Sequence, residues 1–219
     1  MATDTRKSGP PSTGRLYGGL TAEQRQQRQR KAFMDAGLSL FGTLGYRAAT
    51  MRQLCREAGL TDRYFYKNFQ DTESLLVEVY TQSMDRIAAE IADAIATHLA
   101  TGDAEAAIDA GLGTFFTAFQ DPRVARVCWL EVLGVSERVD GVYTGCVERF
   151  ARLIETFARQ AVPDADIPDD ELHVMCIGLV GAISHSAMQW LLTGYAAPRQ
   201  VLVSANRRLI RGALLALQA

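Results

Sequence analysis

Residues 50–69 read TMRQLCREAGLTDRYFYKNF. Met51, Leu54, Cys55 and Ala58 recur at helical spacing, and Thr50 stands just ahead of them, where a threonine caps a helix. Gly59 breaks the pattern, Leu60 and Thr61 follow, and a second short helix is predicted over about 61–68, with Phe65 and Phe69 four apart. Two short helices joined by a tight turn form a helix-turn-helix. The turn needs a residue that tolerates positive φ, which Gly59 supplies, and Ala58 is small enough for the helices to approach closely.

Helical geometry sorts the second helix into faces. Phe65 and Phe69 point inward, whereas Arg63 and Lys67 lie roughly 200° around from Phe65, with Tyr64 and Tyr66 beside them. Such a face suits a DNA groove. Arginine pairs with guanine, tyrosine bonds phosphate or touches a thymine methyl, and lysine neutralises phosphate. Arg47 and Arg52 are further phosphate candidates on charge and location alone.

The charge distribution agrees. The net charge is −2, but residues 1–70 carry 12 Lys/Arg against 5 Asp/Glu, and residues 71–219 carry 11 against 20. A basic end on an acidic body directs that end at a polyanion. Residues 1–20 are rich in Gly, Pro, Ser and Thr and read as a flexible arm. A helix is expected over 22–44, with Phe33, Gly37, Leu40, Phe41 and Leu44 on one face and Gly45 as its C-terminal glycine.

Asp71 or Thr72 caps a long helix to about 99, which Thr101-Gly102-Asp103 ends. Further breaks are expected at Asp121-Pro122, at Asp140-Gly141, from Pro163 to Pro168 and at Ala197-Pro198. No segment alternates with a strand-like period, so residues 71–219 read as one all-α bundle of about six helices. No apolar run of membrane-spanning length and no signal-peptide core is apparent, which points to a cytoplasmic protein. Cys55, Cys128, Cys146 and Cys176 are scattered and read as reduced, packed thiols. His98, His173 and His185 have no metal-ligand spacing, so no metal is expected. Phosphate-binding glycine loops, dinucleotide fingerprints and His-Glu-x-x-His are absent, which leaves no cofactor and little ground for an enzyme.

The stretch from Ala32 to Leu76 resembles the DNA-binding domain of the TetR family. The resemblance rests on Phe41-Gly42-Thr43-Leu44-Gly45-Tyr46, Thr50, Ala58-Gly59-Leu60-Thr61, Tyr66-Lys67-Asn68-Phe69 and Thr72-Glu73-Ser74-Leu75-Leu76. It implies an N-terminal three-helix DNA-binding domain over 21–70 and a ligand-binding and dimerisation domain over 71–219. It implies that Thr50 and Thr61 cap their helices and contact phosphates, and that Arg63, Tyr64, Tyr66 and Lys67 meet DNA. Many members of the family have a small pair where this chain has Arg63-Tyr64, so its base preference is expected to be its own.

The last two helices are expected over about 170–193 and 199–217. The first is apolar on nearly all sides, which points to a partner subunit. Gly178, Ala182 and Ser186 form a ridge of small residues along it, and Leu209 is placed at the same interface on the last helix. The resemblance further implies an effector pocket. By apolar character the candidates are Phe115, Phe119, Cys128, Trp129, Tyr143, Met175 and His185, with a lipophilic effector and His185 or Tyr143 as its polar anchor. The expected function is a ligand-responsive repressor. The alternatives are a dimeric ligand-binding or interaction module without DNA binding and, last, a helical-bundle enzyme.

Overall fold

The computed structural model describes residues 21–218; the arm expected over 1–20 lies outside them. The described residues are helical, with no strand among them. In chain order they form α1 (Ala22–Thr43), a 3-10 turn (Tyr46–Ala48), α2 (Met51–Ala58), α3 (Asp62–Asn68), α4 (Thr72–Leu99) and α5 (Ala104–Ala118). Then follow α6 (Pro122–Leu130), α7 (Glu137–Ala161), α8 (Asp169–Leu192) and α9 (Arg199–Ala216).

The N-terminal unit forms around an aromatic knot. Phe33 of α1 meets Phe65 edge-on at 5.2 Å and Phe69 at 6.3 Å, and Phe65 lies 5.5 Å from Phe69. Phe33, Phe41, Leu54 and Phe65 are fully buried. Leu44, expected on the same face of α1, is 46% exposed. It is the C-cap residue, and the chain turns away at Gly45, where φ is +95°.

The first turns of α4 pack into this unit, with Leu75 and Val79 against Gly37. Asp71 caps α4 by accepting from the Ser74 N–H at 2.7 Å, and this bond holds its carboxyl below the usual carboxylate range. The rest of α4 enters the body, where Ile87 and Ile91 are buried. One helix thus runs through both parts of a single continuous core.

In the body, α4 lies along α5 and α7, and α8 packs on α6, α7 and α9. An aromatic cluster of Phe115, Phe116, Phe119, Trp129, Trp190 and Tyr195 seals the end nearer α6. Two hydrogen bonds fasten it: Trp190 Nε1 donates to Ala197 O at 2.8 Å, and the Tyr195 hydroxyl donates to Phe119 O at 3.0 Å.

Two expectations need correction. The break expected at Asp140-Gly141 does not occur: α7 begins at Glu137, capped by Ser136, and runs through Gly141 without interruption. The interruption falls instead between the end of α6 and Ser136. A lone glycine weakens a helix without ending it, and Asp140 is occupied in accepting from the Gly134 N–H at 2.8 Å. In addition, α8 is long and apolar enough to cross a membrane by length and composition, although no such run was expected. Within the bundle that composition covers a buried side and an uncovered one.

Glycines give this fold a direct test. A Cβ at Gly42 would lie 2.6 Å from Arg123 Cα, so α1 and α6 meet there backbone to backbone. A Cβ at Gly141 would meet nothing within 4 Å. Gly42→Ala is expected to destabilise by about 1–3 kcal/mol through overpacking, and Gly141→Ala to stabilise by roughly 0.5–1 kcal/mol through helix propensity. Denaturant melts of the two variants beside the wild type measure both; a destabilising Gly141→Ala would contradict a continuous α7.

Candidate DNA-binding surface and effector cavity

The helix-turn-helix is set by local chemistry. Thr50 and Gln53 cap each other reciprocally: the Thr50 N–H donates to Gln53 Oε1 at 2.8 Å, and the Gln53 N–H donates to Thr50 Oγ1 at 3.3 Å. Gly59 takes the left-handed conformation, with φ +65° and ψ +29°. Its N–H reaches Arg56 O, and the Leu60 N–H reaches Cys55 O, closing α2 with paired end bonds. Thr61 occupies the N-cap position of α3, but its side chain makes no capping bond, which corrects that expectation. Asp62 accepts from the Arg63 N–H instead, at 2.8 Å.

The second helix presents the expected face. Arg63, Tyr64, Tyr66 and Lys67 are all exposed, Tyr66 to 63%, while Phe65 between them is sealed. Tyr66 stands outward, its ring edge-on to Phe65 at 5.6 Å. Thr50, Thr61, Arg47 and Arg52 are exposed as well. The far end of α3 is clamped by Arg30 of α1. Its Nη1 donates to Asn68 O at 2.8 Å, it pairs with Glu78 of α4, and its guanidinium lies 4.7 Å from the centre of the Phe69 ring.

The unit is tied to the body by α6. Glu131, with a side chain only 12% exposed, accepts from the Tyr46 N–H at 2.7 Å and from Arg126 Nε at 2.8 Å. Arg47 Nη2 donates to Gly134 O at 3.3 Å. Of the expected phosphate partners, Arg47 is therefore the one that also touches the body.

The body holds a half-open cavity of about 110 Å³. Its wall draws on α4 through α9 and contains no charged side chain among the described residues. Of the seven candidates, Phe115, Trp129 and Tyr143 line it. The other four candidates do not. Phe119 lies behind the wall, with its ring 4.9 Å from that of Trp129, and Cys128 is wholly buried beyond it. Met175 borders a separate, smaller space between α7, α8 and α9. His185 is exposed on the outer side of α8 and cannot anchor a ligand in the cavity. Sequence reasoning missed most of the wall, notably Tyr80, Met84 and Ile91 of α4 and Val147, Phe150 and Phe157 of α7. A period of three and four was visible on both helices, but it marks a buried face without saying whether that face meets a side chain or a void.

The buried thiols are chemically quiet. Burial pushes Cys128 and Cys146 up, and Cys176 up to about 11, so all three stay protonated near neutral pH. All four cysteines are free.

The outer faces of α8 and α9 lack a covering. Val174, Ile177, Gly178, Gly181 and Leu192 are exposed on α8, as are Val201, Leu209 and Leu215 on α9. Gly178 and Leu209 are on this exposed face. Ala182 and Ser186 are half-buried instead, and the Ser186 hydroxyl turns inward, to Ala182 O at 2.8 Å and towards Asn206 Oδ1 of the same subunit at 3.4 Å.

Solved structures with this fold include the fatty acid degradation regulator FadR from Bacillus halodurans, 16% identical, with a TM-score of 0.70 over 83% of this chain and 94% of that one. FadR from Bacillus subtilis, in complex with stearoyl-CoA, is 14% identical, with a TM-score of 0.70 over 82% and 96%. A transcriptional regulator from Aquifex aeolicus is 17% identical, with a TM-score of 0.61 over 84% and 98%. No curated protein sequence matches the chain. Residues 33–79, from the aromatic knot through the helix-turn-helix to the first turns of α4, match the bacterial regulatory proteins of the tetR family. The similarity to that family lies in this N-terminal unit, and the solved structures share the fold over most of the chain.

Proposed function

We propose that this regulator is a cytoplasmic, homodimeric repressor released from its operator by a small, largely apolar effector. The observation that carries this reading is the position of α6. Trp129 lines the cavity, and two residues later Glu131 holds the Tyr46 N–H at the entrance to α2. A ligand that displaces Trp129 shifts the support on which the DNA-binding unit rests. To act, the effector need only prefer the DNA-incompetent state, and a 100-fold preference corresponds to about 2.7 kcal/mol of coupling. The B. subtilis relative with stearoyl-CoA bound supports a lipophilic ligand for this fold.

In this reading residues 21–70 read DNA and residues 71–219 take the effector and the second subunit. Arg63 and Tyr64 reach base edges, while Tyr66, Lys67, Thr50, Thr61, Arg47 and Arg52 contact the phosphate backbone. The exposed apolar faces of α8 and α9 cover each other across a two-fold axis. The two copies of α3 then meet half-sites about 34 Å apart or a multiple of it, so a small change in their separation is felt as lost affinity.

Fluorescence anisotropy on the DNA upstream of its own gene, beside a random duplex, tests the DNA roles. Arg63→Ala and Tyr64→Ala should each cost about 1–3 kcal/mol on the operator and little on random DNA. Lys67→Ala should weaken both and lower the salt dependence by about one phosphate contact. Equal losses on both duplexes for Arg63→Ala and Tyr64→Ala would remove α3 from base reading.

Gly178→Arg should yield a folded monomer, because the site is exposed and an added Cβ meets nothing within 4 Å. Sedimentation of the variant as a dimer would place the interface elsewhere. Glu131→Ala removes the carboxylate that accepts from the Tyr46 N–H, a bond worth about 1.5–3 kcal/mol. Amide exchange at Tyr46 should quicken and operator affinity should fall, with a loss of global stability no larger than that of the hydrogen bond removed. Unaltered exchange at Tyr46 would exclude Glu131 as the link.

A further inference from the structure

The helix α3 is held to the protein at few points. Of its seven residues only Phe65 is buried, and Thr61 at its N-cap makes no side-chain bond. Arg63, Tyr64, Tyr66 and Lys67 face solvent. One buried ring near the middle of a short helix fixes its depth and leaves its tilt and rotation soft. A second fixed point has to come from the C-terminal end, where the last carbonyls of a helix have no partner within it.

Arg30 supplies that point. Its Nη1 donates to Asn68 O, the last residue of α3, at 2.8 Å. Asn68 in turn donates from Nδ2 to Tyr64 O at 2.8 Å, so the bond holds the turn that carries Tyr64. Phe69, the next residue, is buried, and the Arg30 guanidinium lies 4.7 Å from the centre of its ring. The other terminal nitrogen, Nη2, pairs with Glu78. Arg30 stands on α1 and Glu78 on α4, so one side chain joins three helices. A planar guanidinium can make both bonds while its face lies on a ring, which the ammonium of a lysine cannot. Its charge is opposed by Glu78 and does not stand free for a phosphate.

Small errors of aim matter at base edges. A rotation of α3 by roughly 10° moves a side-chain tip by about 1 Å at the outer radius of the helix. Groups that recognise a partner need placing to within about 0.5 Å, whereas a flexible lysine reaches a phosphate from either position. We infer that Arg30 is a positioning residue for base recognition. By holding Asn68 O from α1, with Glu78 of α4 behind it, Arg30 sets the tilt of α3 and so the discrimination made by Arg63 and Tyr64, without touching DNA itself. The inference rests on the reading of α3 as the base-reading helix and adds what aims it.

The test compares two duplexes on the full-length protein, well below its melting temperature: the tightest binder that the wild type selects from a random pool, and a random duplex. Arg30→Met keeps the apolar stem and removes the fork, and Arg30→Lys keeps the charge as well. In both variants the preference for the selected duplex should fall about tenfold, the worth of one base contact. The salt dependence on the random duplex should stay that of the wild type. Partial unfolding cannot produce this pattern, because a smaller competent fraction weakens both duplexes by the same factor. Equal weakening of both duplexes, or an unchanged preference, would overturn the inference. So would a salt slope lowered by about one phosphate contact in Arg30→Met, which would make Arg30 a direct DNA contact. Arg63→Ala, measured alongside, separates the two levels. If it loses the preference while Arg30→Lys retains it, only the positioning role falls. A wild type that selects no duplex, or an Arg63→Ala that keeps the preference, would take the reading of α3 down and the inference with it. Should Arg30→Met fail to fold, Arg30→Lys decides alone.

Discussion

The arrangement depends on a single carboxylate. Glu131, at the end of α6, receives the Tyr46 N–H from the N-terminal unit and the Arg126 guanidinium from its own helix. A backbone N–H at the start of a short turn needs an acceptor when it is withdrawn from water, and here the acceptor belongs to the other unit. Gly42 makes this possible, because α1 can lie on the backbone of Arg123 only where there is no side chain. The angle at which α2 and α3 are presented therefore depends on where α6 sits.

The position of α6 is in turn set from the body. Its inner side buries Val124, Val127, Cys128 and Trp129, and Trp129 stacks against Phe119 while facing the cavity. Protein interiors are close-packed, and the cavity of about 110 Å³ leaves Trp129 without packing partners on that side. The second connection is α4, which packs Leu75 and Val79 into the N-terminal unit and Ile87 and Ile91 into the body.

The apolar character of α8 has two origins. Its inner side, with Leu172, Cys176, Val180 and Ile183, closes the bundle, whereas Val174, Ile177 and Leu192 remain uncovered. A helix with both needs has no polar stripe, and its composition alone then resembles that of a membrane span. The absence of a stripe also explains why the inward and outward residues of α8 were hard to separate by reading.

The sequence by itself determined the helix-turn-helix. Thr50, Gly59, Phe65 and Phe69 act over spans of a few residues, so capping, positive φ and helical period are written locally, and the outward set Arg63, Tyr64, Tyr66 and Lys67 follows from that period. It also determined the all-helical class and most helix ends, since Asp71, Asp103, Pro122 and Pro198 mark theirs directly. It did not determine the cavity. Phe119 and Phe115 are alike in type and both buried, yet only Phe115 faces the void, and that depends on how six helices pack. On α8 no polar stripe fixes the rotation, so His185 turned out to face outward and Ser186 inward. The tertiary structure decided those positions because a void and an uncovered face arise from the packing of several helices together, whereas the period of one helix records only that a face is buried.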